Sequence, residues 1–263
     1  LVIQLKIFDK LARDPSLAGW DGLGIVIQAY QKRASAVLQK LIELGQDCGR
    51  RFMVRLVKGA YWDTEIKFAQ MNGQPDFPVW TTKPATDLNY LACARVMLAA
   101  PDAIFSQFAT HNAHTLCAVR QIAAETGNPP YEFQRLHGMG EPLYAAAAQA
   151  FPDLGNVRVY APVGSHEDLL PYLVRRLLEN GANTSFVNAF LDEDVPAADV
   201  AGGPFKAAPT LDRHPFISIP PKLYGPARLN SKGMDLTQSA VRDRLADAQA
   251  AFDADAPYPC GPI

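Results

Sequence analysis

The chain has 263 residues, 48% hydrophobic and 20% charged, which supplies apolar material for a folded core and argues against a disordered chain. Its formal net charge of −2 leaves no basic footprint for nucleic acid or anionic lipid. The four cysteines, Cys48, Cys93, Cys117 and Cys260, are far apart with no Cys-x-x-Cys spacing, a pattern that fits a reducing cytosol and speaks against a disulfide framework or a thiolate zinc site.

The apolar runs fall well short of the roughly 20 residues that a spanning helix needs. The opening Leu-Val-Ile-Gln-Leu-Lys-Ile-Phe is no signal peptide, because charge recurs at once. Position 1 is Leu, and the chain reads as a piece of something longer.

Helical periodicity begins with Ile3–Ala12. The first strand is expected at 24–30, after the turn at 19–22, and further strands at 51–57, 103–108, 132–136 and 156–160. Between them apolar residues recur at three- and four-residue spacing over 34–45, 88–99, 113–126, 143–151 and 167–180, which predicts amphipathic helices. Such alternation gives parallel strands joined by right-handed crossovers. The stretch 62–84 is surplus to the regular interval and carries its own helical start with a Pro/Gly-rich loop, as site-building insertions do.

Five βα units are present where a closed (β/α)₈ barrel has eight, so the α/β pattern looks like the last five-eighths of a TIM-like barrel, strands 4–8. An open doubly wound sheet is the structural alternative, although no Gly-x-Gly-x-x-Gly follows any strand. On this reading residues 1–190 form the barrel portion and 191–263 a connecting arm, with a further amphipathic helix over 235–253.

Reactive groups of a parallel barrel come from the C-terminal strand ends. Those positions hold Gln28, Lys58-Gly-Ala-Tyr61, Thr110-His-Asn112, Leu136-His-Gly-Met-Gly140 and Tyr160-Ala-Pro-Val-Gly164, with no obvious carboxylate pair of the glycosidase kind. Arg175-Arg176, placed near the N-terminal half of the last barrel helix, can grip a carboxylate or phosphate, with Glu179 in reach of either. An ordinary solvated charge cluster is the competing reading.

His111 and His114 are spaced to face a metal, yet no carboxylate or thiol completes the set. A polar contact from His111 to a cofactor fits better. Lys58 suits a Schiff base or an anion contact, and with Arg55 on the opposite pleat it points to an anionic cofactor above the strands. Cys93 and Cys117, on helical stretches, read as buried small hydrophobes.

Arg55-Leu-Val-Lys-Gly-Ala-Tyr-Trp62 is the first of several long stretches that resemble one family. Val26–Arg33, Gln107–Thr115, Phe133–Tyr144 with Leu-His-Gly-Met-Gly-Glu-Pro-Leu-Tyr intact, Tyr160–Gly164 and Tyr172–Ser185 are the others, in order and in register. The chain resembles the proline dehydrogenase domains of bifunctional proline-utilising flavoproteins over about residues 1–235. That resemblance implies a distorted (β/α)₈ barrel binding FAD, oxidation of L-proline to Δ1-pyrroline-5-carboxylate, and electron delivery to a membrane quinone.

By position it implies that Arg175 and Arg176 hold the substrate carboxylate, braced by Glu179, and that Tyr61, Ala60, Leu136 and Tyr160 line the ring pocket. Arg175, Arg176, Tyr61 and Tyr160 form the expected catalytic set. Gln28, Arg55, Val57, Lys58, Trp62, Thr81, Lys83, Thr110, His111, Asn112 and Gln134 match the flavin-contacting set, to which Glu179 is added.

The family's first three strands are not in the sequence, and with them a lysine and an aspartate that help bind proline. NAD belongs to the aldehyde dehydrogenase domain expected beyond the arm, and DNA only to an N-terminal module that some members carry. A homo-oligomer, cytoplasmic and peripherally associated with the inner membrane when reduced, is implied for the full-length protein. The competing functions are a lysine aldolase or lyase built on Lys58 and an inactive scaffold.

Overall fold

Strand–helix alternation produces a single five-stranded sheet in the computed structural model, which describes residues 2–181, 213–236 and 238–252. The strands are β1 (Gly24–Gln28), β2 (Phe52–Val57), β3 (Ile104–Ala109), β4 (Tyr131–Leu136) and β5 (Asn156–Tyr160). They lie side by side in chain order and every adjacent pair is parallel. The expected strands are found within two residues at each end.

The helices are α1 (Val2–Ala12), α2 (Ala34–Cys48), α3 (Trp62–Met71), α4 (Lys83–Leu98), α5 (Ala113–Glu125), α6 (Glu141–Ala150), α7 (His166–Gly181) and α8 (Ser239–Ala250). Among the described residues, no helix is long and apolar enough to cross a membrane.

Period-two alternation sorts each strand onto two faces. Phe52, Val54 and Leu56 of β2, Phe108 of β3 and Phe133 of β4 are fully buried in the main core, together with Leu38 and Leu41 of α2, Met97 of α4 and Leu116 of α5. Burying one such ring contributes about 1.5–3 kcal/mol. The other face carries Val26, Arg55, Gln107 and Glu132 in one row and Gln134 beside Arg158 in the next, as the pairing register requires.

Local signals explain the helix ends. Gly49, in the left-handed region at φ 61°, stops α2 and turns the chain into β2. The Asn112 side chain accepts from the Thr115 N–H at 2.9 Å and starts α5. Phe8 of α1 packs edge-on against Phe52 with ring centroids 4.9 Å apart. The loop after α1 is tied down by Arg50, whose guanidinium donates to the carbonyls of Ala12, Leu17 and Trp20.

The excursion between β2 and β3 builds a second, smaller core from Tyr30, Ile66, Ala69, Phe77 and Val79, with Trp62 and Ile217 against it. The arm expected over 191–263 is, at 213–234, seated on this excursion. Arg213 pairs with Asp76, the His214 N–H donates to Thr81 Oγ1, the Asn230 amide donates to the Gln70 carbonyl, and the Gly233 N–H donates to the Asn72 carbonyl.

Three sequence expectations are corrected. Helix α8 (Ser239–Ala250) has no buried residue, so the apolar face expected over 235–253 is not buried among the described residues. Arg175 and Arg176 fall in the second half of α7, since that helix begins at His166. Cys117 is exposed, on the side of α5 away from the sheet, whereas Cys93 is buried.

Candidate active site

The C-terminal ends of β1, β2, β4 and β5 place polar side chains on the face of the sheet that the helices leave uncovered. Arg55, half-buried in β2, reaches across to later strands. Its Nε donates to Gln134 Oε1 at 2.7 Å and its terminal nitrogen to the Tyr160 hydroxyl at 2.9 Å. A guanidinium in mid-strand is tolerated because both acceptors satisfy it where water cannot freely do so.

Gln134 in turn donates from Nε2 to Glu132 Oε1 at 2.8 Å. Burial pushes the Glu132 carboxyl up, but hydrogen bonds from Arg158, Gln134 and Gln107 outweigh it and hold the carboxyl below its ordinary value.

A second charged group lies just past β2. Asp87 of α4 sits between Lys58 and Lys83, one carboxylate oxygen on each ammonium. Burial raises the Asp87 carboxyl, and the two lysine charges overcome that and leave it lowered. This ion pair engages the Lys58 amine that a Schiff base would need free.

Around these groups the strand-end loops are held by specific bonds. The Ala60 N–H donates to Gln28 Oε1 at 3.2 Å, and Val57 stands opposite Gln28 in the register. Thr110 is buried; its hydroxyl accepts from the Asn112 N–H and its carbonyl accepts from the Tyr144 hydroxyl. His111 Nε2 accepts from the Leu136 N–H at 3.2 Å, which places the imidazole proton on Nδ1.

Burial, then the charges of Arg135 and Arg55, lower the His111 pKa, so the ring is neutral near pH 7. His114 is lowered likewise by burial and by Lys58. Gly140, at φ 69°, lies so close that an added Cβ would meet His111 Cδ2 at 2.8 Å. Only glycine fits there.

The remaining expected residues are distributed less tightly. Leu136 is buried and Tyr61, preceding α3, is half-exposed. The Trp62 indole donates to the Trp80 carbonyl at 2.9 Å, and the Thr81 hydroxyl accepts from His214 in the docked arm. The side chains of Arg175, Arg176 and Glu179 lie outside the described residues, as does Cys260. A cleft of about 640 Å³ runs along α1 and the outer side of β1 and reaches Arg55 and Gln107, but its lining is otherwise mostly apolar and includes neither Lys58 nor Lys83.

Sequence reasoning missed Glu132, Gln107, Arg158 and Asp87. Signals for two of them were present: Glu132 is in phase with Gln134 on β4, and Asp87 follows Lys83 by four residues on a helix.

The donor set fits a dinucleotide flavin: two ammoniums suit a pyrophosphate, and a guanidinium with backbone and amide groups suits a polar ring edge. Among curated relatives, the bifunctional protein PutA of Escherichia coli is 52% identical over 96% of this chain, and that of Salmonella typhimurium is 51% identical. The chain spans only 20% of the length of each. Proline dehydrogenase 1 of Bacillus subtilis is 32% identical across 64% of this chain and 48% of its own length.

A crystal structure of Bradyrhizobium japonicum proline utilization A, a point mutant, superposes with a TM-score of 0.87 at 50% identity, covering 97% of this chain and 26% of that one. The proline dehydrogenase family model matches residues 1–189. With that match running from α1 through all five strands and α7, the chain belongs to the proline dehydrogenase family.

Proposed function

We propose that this chain is part of a flavin-dependent dehydrogenase that oxidises L-proline to Δ1-pyrroline-5-carboxylate, and that its five strands are strands 4–8 of a closed (β/α)₈ barrel. The observation that carries the reading is the cation set on and near β2: Arg55 within the strand on uncharged acceptors, with Lys58 just past it and Lys83 of α4 about one aspartate. Family membership and names of relatives such as proline dehydrogenase 1 support the substrate.

FAD, when bound, supplies the two-electron acceptor. Lys58 and Lys83 take its anionic portion. Gln28, Arg55, Val57, Trp62, Thr81, Thr110, His111, Asn112, Gln134 and Glu179 make the remaining contacts. Arg175 and Arg176 grip the proline carboxylate, Glu179 orients them, and Tyr61, Ala60, Leu136 and Tyr160 enclose the ring and exclude water. A substrate bound as the free amine needs no protein base, consistent with the lack of a carboxylate pair at the strand ends. Electrons then pass to a membrane quinone through peripheral association of an oligomeric full-length protein, whose pyrroline product is consumed by an NAD-dependent aldehyde dehydrogenase domain beyond residues 191–263.

The test is anaerobic addition of L-proline to the purified complete protein. Bleaching of the yellow flavin absorbance is expected. A colourless protein, or a coloured one that proline leaves unchanged, overturns the reading.

A further inference from the structure

Glu132 is the second residue of β4, its side chain 3% exposed, and the proposed chemistry gives it no part. Four N–H donors converge on its carboxylate: Gln107 Nε2 at 2.8 Å, Gln134 Nε2 at 2.8 Å, and Arg158 through Nε at 2.8 Å and its terminal nitrogen at 2.9 Å. Arg158, itself 63% exposed, supplies the opposite charge to this buried carboxylate.

Gln134 is the informative partner. A carboxylate only accepts, so the Gln134 NH₂ must face Glu132, and its Oε1 is thereby turned to Arg55 Nε at 2.7 Å. A flipped amide would set oxygen against oxygen on one side and donor against donor on the other. Arg55 is thus aimed by two uncharged acceptors, Gln134 and Tyr160, and neither neutralises it.

We propose that Glu132 is a positioning residue: it locks the Gln134 amide and so points the Arg55 cation at the flavin. This rests on the flavoprotein reading above. A cation held beside the ring favours the electron-rich reduced form, so releasing Arg55 lowers the flavin potential. Loss of the Glu132 negative charge alone would raise it. The sign therefore separates positioning from a direct charge effect.

The test is the flavin reduction potential and absorbance spectrum of the complete protein. Glu132→Gln is expected to shift the reduction equilibrium roughly ten-fold toward oxidised flavin, about 30 mV for a two-electron couple, and to lower kcat more than it changes the proline KM. On an Arg55→Met background the same substitution is expected to add nothing. Gln107→Met removes a partner of the same carboxylate without freeing Gln134, and is expected to leave the potential in place while lowering thermal stability.

Should Glu132→Gln fail to fold, Gln134→Met carries the test and must lower the potential in the same direction. An unchanged or raised potential, or an equal fall in Gln107→Met, overturns the positioning role. A wild-type protein without flavin removes the functional reading and this inference together, whereas a flavin-bearing protein whose potential ignores Glu132 and Gln134 removes this inference alone.

Discussion

Asp87 illustrates how one partly buried carboxylate organises two cations that sequence places on separate elements. Its carboxyl is lowered in the fold, so its contribution to stability is fully present above the ordinary carboxylate range and is lost as pH falls through the depressed value. Asp87→Asn leaves Lys58 and Lys83 facing each other, and we expect a loss on the order of 1–3 kcal/mol at neutral pH. Urea unfolding at pH 7 and at pH 3 checks this: the wild type should lose more stability between the two than the variant, and equal losses would refute the pairing. At the proposed substrate end, Arg176→Met is expected to raise the proline KM by roughly 10–100-fold, because a charge-assisted bond contributes about 1.5–3 kcal/mol. Steady-state kinetics of the complete protein decide it, and an unchanged KM removes Arg176 from the site.

At the scale of elements, the loops that frame the sheet are held by few residues doing several jobs. Arg50, two positions before β2, donates to the Ala12, Leu17 and Trp20 carbonyls at 3.1, 2.9 and 2.8 Å, which satisfies the end of α1 and the turn that follows. Arg50→Met keeps much of the apolar stem and removes all three bonds. A loss of about 1–3 kcal/mol is expected in chemical denaturation, and a neutral result would mean that water replaces the guanidinium. Helix α5 is set by Asn112, whose capping role and expected flavin contact compete for one side chain.

Across the whole molecule, the sheet ends in two outer strands. Among the described residues β1 and β5 each have one neighbour, with Val26 47% and Val159 45% exposed beside them. Unpaired strand edges and uncovered apolar side chains promote association. Barrel closure therefore predicts that residues 1–263 expressed alone aggregate and do not turn over proline, even with FAD added, while the complete protein does. Dye reduction by both, measured side by side, is the check; robust turnover by the 263-residue piece would refute the eight-stranded account.

The order and type of the elements were legible in the sequence because each depends on local periodicity: two for strands, near 3.6 for helices, interrupted by Gly, Pro and Asn. The same periodicity located the strand ends, and the motifs there identified the family. It could not say who meets whom. That Glu132 of β4 takes Arg158 of β5, or that Arg55 of β2 reaches Gln134 and Tyr160, depends on the register of paired strands, which is set only when the sheet assembles. Asp87 finds Lys58 only once α4 has crossed back over β2. The seating of residues 213–234 on the excursion after β2 is likewise long-range, resting on Arg213, His214 and Asn230 meeting groups more than a hundred residues away in the chain. Periodicity determines which face a side chain occupies; tertiary packing alone decides its neighbours, because those contacts join residues distant in sequence.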